Sequence, residues 1–133
     1  MLRAVADTHA VIWYVFNDPR LSPVAKSLLE SAAINGDEIG FSTTTFVEII
    51  YLIEKGRIPP TTLAELLQLV SDNDSVLVEL SVNREIALAV QQVPRVEVPD
   101  MPDRIIAATA LQLGVPLISR DRRIRLSAVA TVW

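Results

Sequence analysis

LRAVADTHAVIWYVF, residues 2–16, sets an apolar strand, one acid and an apolar helix in immediate succession. LRAVA (2–6) is the near-continuous apolar run expected of a short strand covered on both faces of a parallel sheet. Thr8 to Phe16 reads as an apolar helix, stopped around Asn17, Asp18 and Pro19. Asp7 stands between the two. In open α/β sheets that junction, outside the carboxyl end of a strand, is where ligands bind.

The alternation continues outward from this segment. Ser22-Pro23 supplies an N-cap and a first-turn proline for a helix running to about Ala33. Asn35-Gly36-Asp37 turns the chain into a second strand, IGFS (39–42). Thr45 to Lys55 follows as a helix, closed by Gly56 as a left-handed cap. After Pro59-Pro60, TLAELLQLVS (62–71) repeats leucines at helical spacing, with Leu63, Leu66, Leu67 and Val70 as the packing stripe. VLVEL (76–80) is a third strand, and Asn83 caps a helix to about Gln92. Pro94 to Pro102 is a loop, Asp103 to Leu113 a helix ended by Gly114, and VPLIS (115–119) and VATVW (129–133) are the last strands. This order predicts a three-layer α/β/α domain with a mainly parallel central sheet. A helical hairpin is inserted between the second and third strands, and residues 1–133 form a single domain.

Composition narrows the chemistry. The chain has 133 residues, 50% hydrophobic and 21% charged, with a net charge of −4. No apolar run reaches the ~18 residues of a membrane span, and no small-residue cleavage site follows the apolar start. A cytoplasmic domain without membrane association is expected. Zero cysteines exclude disulfides, thiolate zinc sites and cysteine nucleophiles, and the lone histidine, His9, excludes a histidine-rich zinc centre. The acidic balance argues against broad electrostatic binding of nucleic acid. Six of the 12 basic residues nevertheless lie from Arg95 onward: Arg95, Arg104, Arg120, Arg122, Arg123 and Arg125. All are arginine, the side chain suited to bidentate phosphate contact. They fit either a phosphate-binding face or a solvated surface.

Asp7, Glu48, Asp103 and Asp121 all fall where strands end or helices begin. Each has an ordinary structural explanation. Asp7 can be an N-cap, Glu48 stands at capping-box distance from Thr45, Asp100 and Asp103 flank Pro102 at a helix start, and Asp121 fits a turn. The joint pattern asks for more. Asp7 and Asp121 follow the most apolar strands, and Glu48 is embedded in FVEII. Within four residues of Asp7 or Glu48 the only lysine or arginine is Arg3. Carboxylates beside an apolar core need a charge partner, and a divalent cation supplies one. Oxygen-only ligands select a hard ion, Mg²⁺ or Mn²⁺, which activates water for attack on a phosphodiester.

The segments VADTHAVIW, TTTFVEI, DMPDRIIAATA and LISRDRRI together resemble the PIN-domain ribonucleases, and within them the VapC-type toxins of bacterial toxin–antitoxin pairs. The motifs occur in the family's order and cover nearly the whole chain. The resemblance implies a PIN-like fold and a Mg²⁺- or Mn²⁺-dependent endoribonuclease whose acidic site is Asp7, Glu48, Asp103 and Asp121. Asp7 and Asp103 would be the firmest metal ligands, with Glu48 and Asp121 binding directly or through water. It further implies an RNA substrate, a small antitoxin that blocks the cleft, and a homodimer. Asp100 matches an acid three residues before the third motif acid, and Ser119 a small hydroxyl residue two before the last, placed to orient a carboxylate or a water. Relatives often read D-P-x-D at the third motif, whereas here the proline is shifted by one, Asp100-Met101-Pro102-Asp103.

Arg104, Arg120 and Arg122 are the candidates for RNA phosphate contacts. Thr8 and Thr45 read as caps whose hydroxyls can also reach the metal site. His9 reads as structural, with contact to substrate or the site as the minority alternative, and Trp13 and Trp133 as core or dimer-contact aromatics. The competing reading of the chain is a non-catalytic PIN-like module that binds RNA or protein, which millimolar Mn²⁺ would not occupy.

Overall fold

The computed structural model describes residues 1–133. The chain runs β1 (Leu2–Ala6), α1 (Thr8–Val15), α2 (Pro23–Ile34), β2 (Glu38–Ser42), α3 (Thr44–Glu54), α4 (Thr62–Val70), β3 (Leu77–Leu80) and α5 (Arg84–Ala89), then α6 (Met101–Leu113), β4 (Leu117–Ile118), α7 (Arg122–Arg125) and β5 (Thr131–Val132). Five strands form one sheet in the order β3-β2-β1-β4-β5. Every pairing is parallel, so the expected three-layer α/β/α architecture stands. The chain moves outward from β1 through β2 to β3, then returns to lay β4 on the other side of β1. The topological switch point therefore lies between β1 and β4, with Asp7 just beyond one strand and Ser119 to Asp121 just beyond the other.

Alternation along β1 divides the core. Ala4 and Ala6 pack with Ile39, Phe41, Leu29, Ile49 and Leu66 on one face. Val5 packs with Ile106, Ala107, Leu117 and Ile124 on the other. Gly40 is fixed by closeness: a Cβ there would lie 2.3 Å from the Leu80 side chain on β3. Gly114 ends α6 at φ +67° and Gly56 follows α3 at φ +68°, the left-handed conformation expected of them. No helix is long and apolar enough to cross a membrane.

Several boundaries differ from the sequence expectation for physical reasons. Helix α6 starts at Met101, not Asp103, because Asp100 is its N-cap and Pro102 fits the first turn. The helix after Asn83 ends at Ala89 and tightens into a single 3₁₀ turn, Val90–Gln92, ahead of Pro94. Arg104 holds that turn, its Nε donating to the Val93 carbonyl and its Nη2 to the Val90 carbonyl at 3.0 and 3.1 Å. The last two strands keep only two paired residues each. Asp121 opens the short helix α7, which the turn-like SRDR pattern concealed.

Candidate active site

Local folding delivers each acid to the same edge of the sheet. Asp7 caps α1, its Oδ1 accepting from the Ala10 amide at 2.9 Å. Asp100 caps α6, its Oδ2 accepting from Asp103 N at 3.1 Å. Asp121 caps α7, its Oδ1 accepting from the amides of Arg123 and Ile124. Each cap commits one carboxylate oxygen. The positive ends of these helices converge where the acids gather, which partly offsets their mutual repulsion.

Glu48 arrives differently. The capping-box alternative fails because Thr45 lies inside α3, whose N-cap is Thr43 and makes no side-chain cap bond. The Glu48 carboxylate instead accepts from Thr8 Oγ1 at 2.5 Å. Thr8 Oγ1 also lies 3.1 Å from Thr45 Oγ1. With the Thr8 proton given to Glu48, Thr45 must donate to Thr8. Two buried hydroxyls thus form a chain that fixes the carboxylate. Ser119 is equally placed: its Oγ accepts from the Asp121 amide at 3.0 Å, and its side chain hydrogen-bonds Asp7.

Asp7, Thr8, His9, Trp13, Glu48, Asp100, Asp103, Arg120 and Asp121 line one cleft of about 380 Å³. All four acids expected from the sequence meet there, with Asp100 as a fifth. The tightest group is Glu48, Asp100 and Asp103, with carboxylate oxygens within 4.8 Å of one another. Asp100 is therefore nearer the centre than its motif position suggested, while Asp7 lies deeper, only 8% exposed.

The electrostatics show strong charge crowding. Burial raises the pKa of Asp7, against the Ser119 and Ala10 hydrogen bonds. Burial also raises Glu48, with Asp100 and Asp7 adding to the effect and Thr8 opposing it. Asp103 is pushed up to about 7, first by burial and then by Asp100, Asp121, Glu48 and Asp7. None of the protein's ion pairs involves a cleft carboxylate. Closely set oxygen donors without a protein cation match the coordination chemistry of a hard divalent ion. The donor set fits Mg²⁺ or Mn²⁺ and contains no sulfur.

The arginine candidates separate. Arg120 lines the cleft. Arg104 is occupied by the Val90 and Val93 carbonyls, and Arg122 lies on α7 outside the lining. His9 and Trp13 also line the cleft, as the minority alternative for His9 allowed and the core-or-dimer reading of Trp13 did not. Their i, i+4 spacing on α1 was the available signal, because it places both on one helix face.

The chain matches the PIN domain family over residues 4–130. It is 29% identical over 138 aligned positions to Ribonuclease VapC22 of Mycobacterium tuberculosis, with all of both chains covered. Its fold is similar to a chain of VapBC2 from Rickettsia felis, crystallised bound to a DNA fragment from its promoter. That match has a TM-score of 0.71 and 16% identity, covering 98% of this chain and 97% of the other. A chain of a toxin-antitoxin complex from Klebsiella pneumoniae matches at TM-score 0.68 and 21% identity, covering 98% and 96%. A chain of DNA-bound VapBC from Salmonella typhimurium matches at 0.68 and 22%, covering 98% and 97%.

Proposed function

The chain belongs to the PIN-domain family, and from that membership we propose that it is a Mg²⁺- or Mn²⁺-dependent endoribonuclease, the toxin of a VapBC-type pair. One observation carries the reading: five carboxylates from four segments of the chain meet in a single cleft with no ion pair to any of them. Full-length similarity to a VapC ribonuclease supports it.

In this reading Asp7 and Asp103 are the firmest metal ligands, with Glu48 and Asp121 completing the set and Asp100 drawn in beside Asp103. A divalent ion held by these carboxylates would supply Lewis acidity, activating water and offsetting phosphodiester charge. The protein's own work is orientation. Thr8 fixes the Glu48 carboxylate, Ser119 ties the Asp7 side chain to the Asp121 backbone, and three helix caps hold the aspartates. Residues 1–133 act as one PIN-like unit in the cytoplasm. Its partners are RNA, a cognate antitoxin and a second copy of the chain. Val47, Ile50 and Tyr51 leave an exposed apolar stretch along α3, consistent with protein partners.

Incubation of the purified protein with total RNA, followed by mapping of cut sites, tests the activity. Cutting is expected with Mg²⁺ or Mn²⁺, and none with EDTA or in Asp7→Asn and Asp103→Asn. Undiminished cutting in EDTA, or by both variants, overturns the assignment. Induced expression is expected to arrest growth; unaffected growth removes the toxin role and leaves the nuclease.

A further inference from the structure

Five of the nine residues lining the cleft are acids, and one is a permanent cation, Arg120. It directly precedes Asp121, yet it makes no ion pair with any carboxylate and no side-chain hydrogen bond. Three other arginines are committed to protein partners. Arg3 pairs with Asp37, Arg20 with Asp18, and Arg104 caps two carbonyls. Arg120 has its guanidinium carbon 4.6 Å from the centroid of the Trp13 ring, which the Asp18-paired Arg20 also approaches, at 5.2 Å. Trp13 is only 3% exposed. Its ring lies 5.8 Å from that of Trp133 and 5.5 Å from that of His9, so it is a fixed platform.

We propose that Arg120, held on Trp13, is an anion subsite that receives a backbone phosphate of the RNA, with Trp13 as its positioning residue. The proposal rests on the nuclease reading in taking RNA as the ligand. A guanidinium among carboxylates would ordinarily pair with one of them. Stacking on an indole gives it a competing resting place and keeps its fork of donors uncommitted. The planar group is already ordered, so little rotamer entropy remains to be lost when a phosphate engages it bidentately. The cleft then offers the polyanion two attractions, an ion among the carboxylates and a cation next to Asp121 in the chain. This subsite also answers the net charge of −4: a chain with no broad basic surface must attract RNA locally.

The test is stopped-flow anisotropy of a fluorescein-labelled single-stranded RNA dodecamer in Mn²⁺, read before turnover, with cleavage of the same oligomer followed on gels. Arg120→Ala is expected to weaken binding about tenfold and to reduce the salt dependence by about one charge. Its Mn²⁺ affinity by calorimetry should stay unchanged. Arg120→Lys should recover only part, since an ammonium lacks the fork and the planar stack. Trp13→Phe should bind as wild type and Trp13→Leu as Arg120→Ala, each checked for an intact melting transition. Should Trp13→Leu not fold, the Arg120 variants still decide. RNA affinity and salt slope unchanged in Arg120→Ala overturn the proposal, whether or not the wild type cuts. A wild type that binds through Arg120 but never cuts instead defeats the nuclease reading and leaves the subsite standing.

Discussion

Replacing Asp103 with asparagine keeps the shape of the side chain and removes its charge from the most crowded point of the cleft. The pKa of Asp103 rises from an ordinary 3.8 to about 7 in the folded protein. A raised carboxylate pKa means the fold binds the proton more tightly than the unfolded chain does. Its stabilising contribution is complete below 3.8 and lost as pH climbs through about 7. At about 1.4 kcal/mol per pH unit that interval amounts to roughly 4 kcal/mol as an upper bound. Asp103 is only partly buried, so solvent screening reduces the figure to about 1–2 kcal/mol. Loss of a favourable charge in the first turn of α6 takes back about 0.5 kcal/mol. In EDTA at pH 8, Asp103→Asn should therefore be more stable than wild type by about 1 kcal/mol, a rise in melting temperature of about 3–5 °C. That advantage should shrink steadily as pH falls toward 4. Mn²⁺ should reverse the order, raising the melting point of the wild type and hardly moving the variant. Differential scanning fluorimetry across pH, with and without Mn²⁺, measures all three. A variant less stable than wild type at pH 8 without metal, or stabilised equally by Mn²⁺, refutes the charge-crowding argument.

Asp7→Asn should fold at least as well as wild type, because asparagine caps helices well and the buried charge is gone, whereas Asp7→Ala should lie about 1 kcal/mol below it; chemical denaturation orders the two, and both should fail to cut RNA. Thr8→Val deletes the donor to Glu48 and the partner of Thr45. Mn²⁺ affinity by calorimetry should fall about tenfold, and stability by about 1–2 kcal/mol. Arg104→Met should lower stability by about 1 kcal/mol, chiefly through the Val93 carbonyl it leaves without a donor, since the Val90 carbonyl keeps the Val93 amide, with RNA affinity by anisotropy unaltered. Weakened RNA binding by that variant would return Arg104 to the phosphate-contact group.

The strand-acid-helix reading of residues 2–16 carried over into the fold because both of its signals are local: a buried apolar run and an N-capping side chain. The same is true of Ser22-Pro23, Asn83 and Gly114, each of which caps as its residue type dictates. What the sequence left open depends on tertiary neighbours. The 3₁₀ turn after Ala89 exists beside an arginine 14 residues away from Val90. Glu48 pairs with Thr8 across 40 residues, so its position three residues after Thr45 pointed to the wrong hydroxyl relation. Motif order identified the acids but not their spacing in three dimensions, and Asp100 enters the tightest trio only because it caps the helix that carries Asp103. Trp13 looked like a core residue and is one. Its second surface, under Arg120, is set by β4 packing beside β1.

The capping and metal-binding explanations for the aspartates, which compete on paper, coincide in the fold. A parallel sheet with its switch point between β1 and β4 aims several helix N-termini at one edge. Capping then brings a carboxylate to each of those termini, so ordinary helix chemistry assembles most of the acidic cleft. A cap needs one oxygen, and in Asp100 and Asp121 a single oxygen is engaged. The second oxygen of each is the excess that helix formation does not require. Glu48 and Asp103 cap nothing, and among the cleft acids they carry raised pKa values without such a bond to offset them. Those two are where the arrangement departs from what folding alone would choose, and their cost to the apoprotein is the physical trace of a site shaped for a cation.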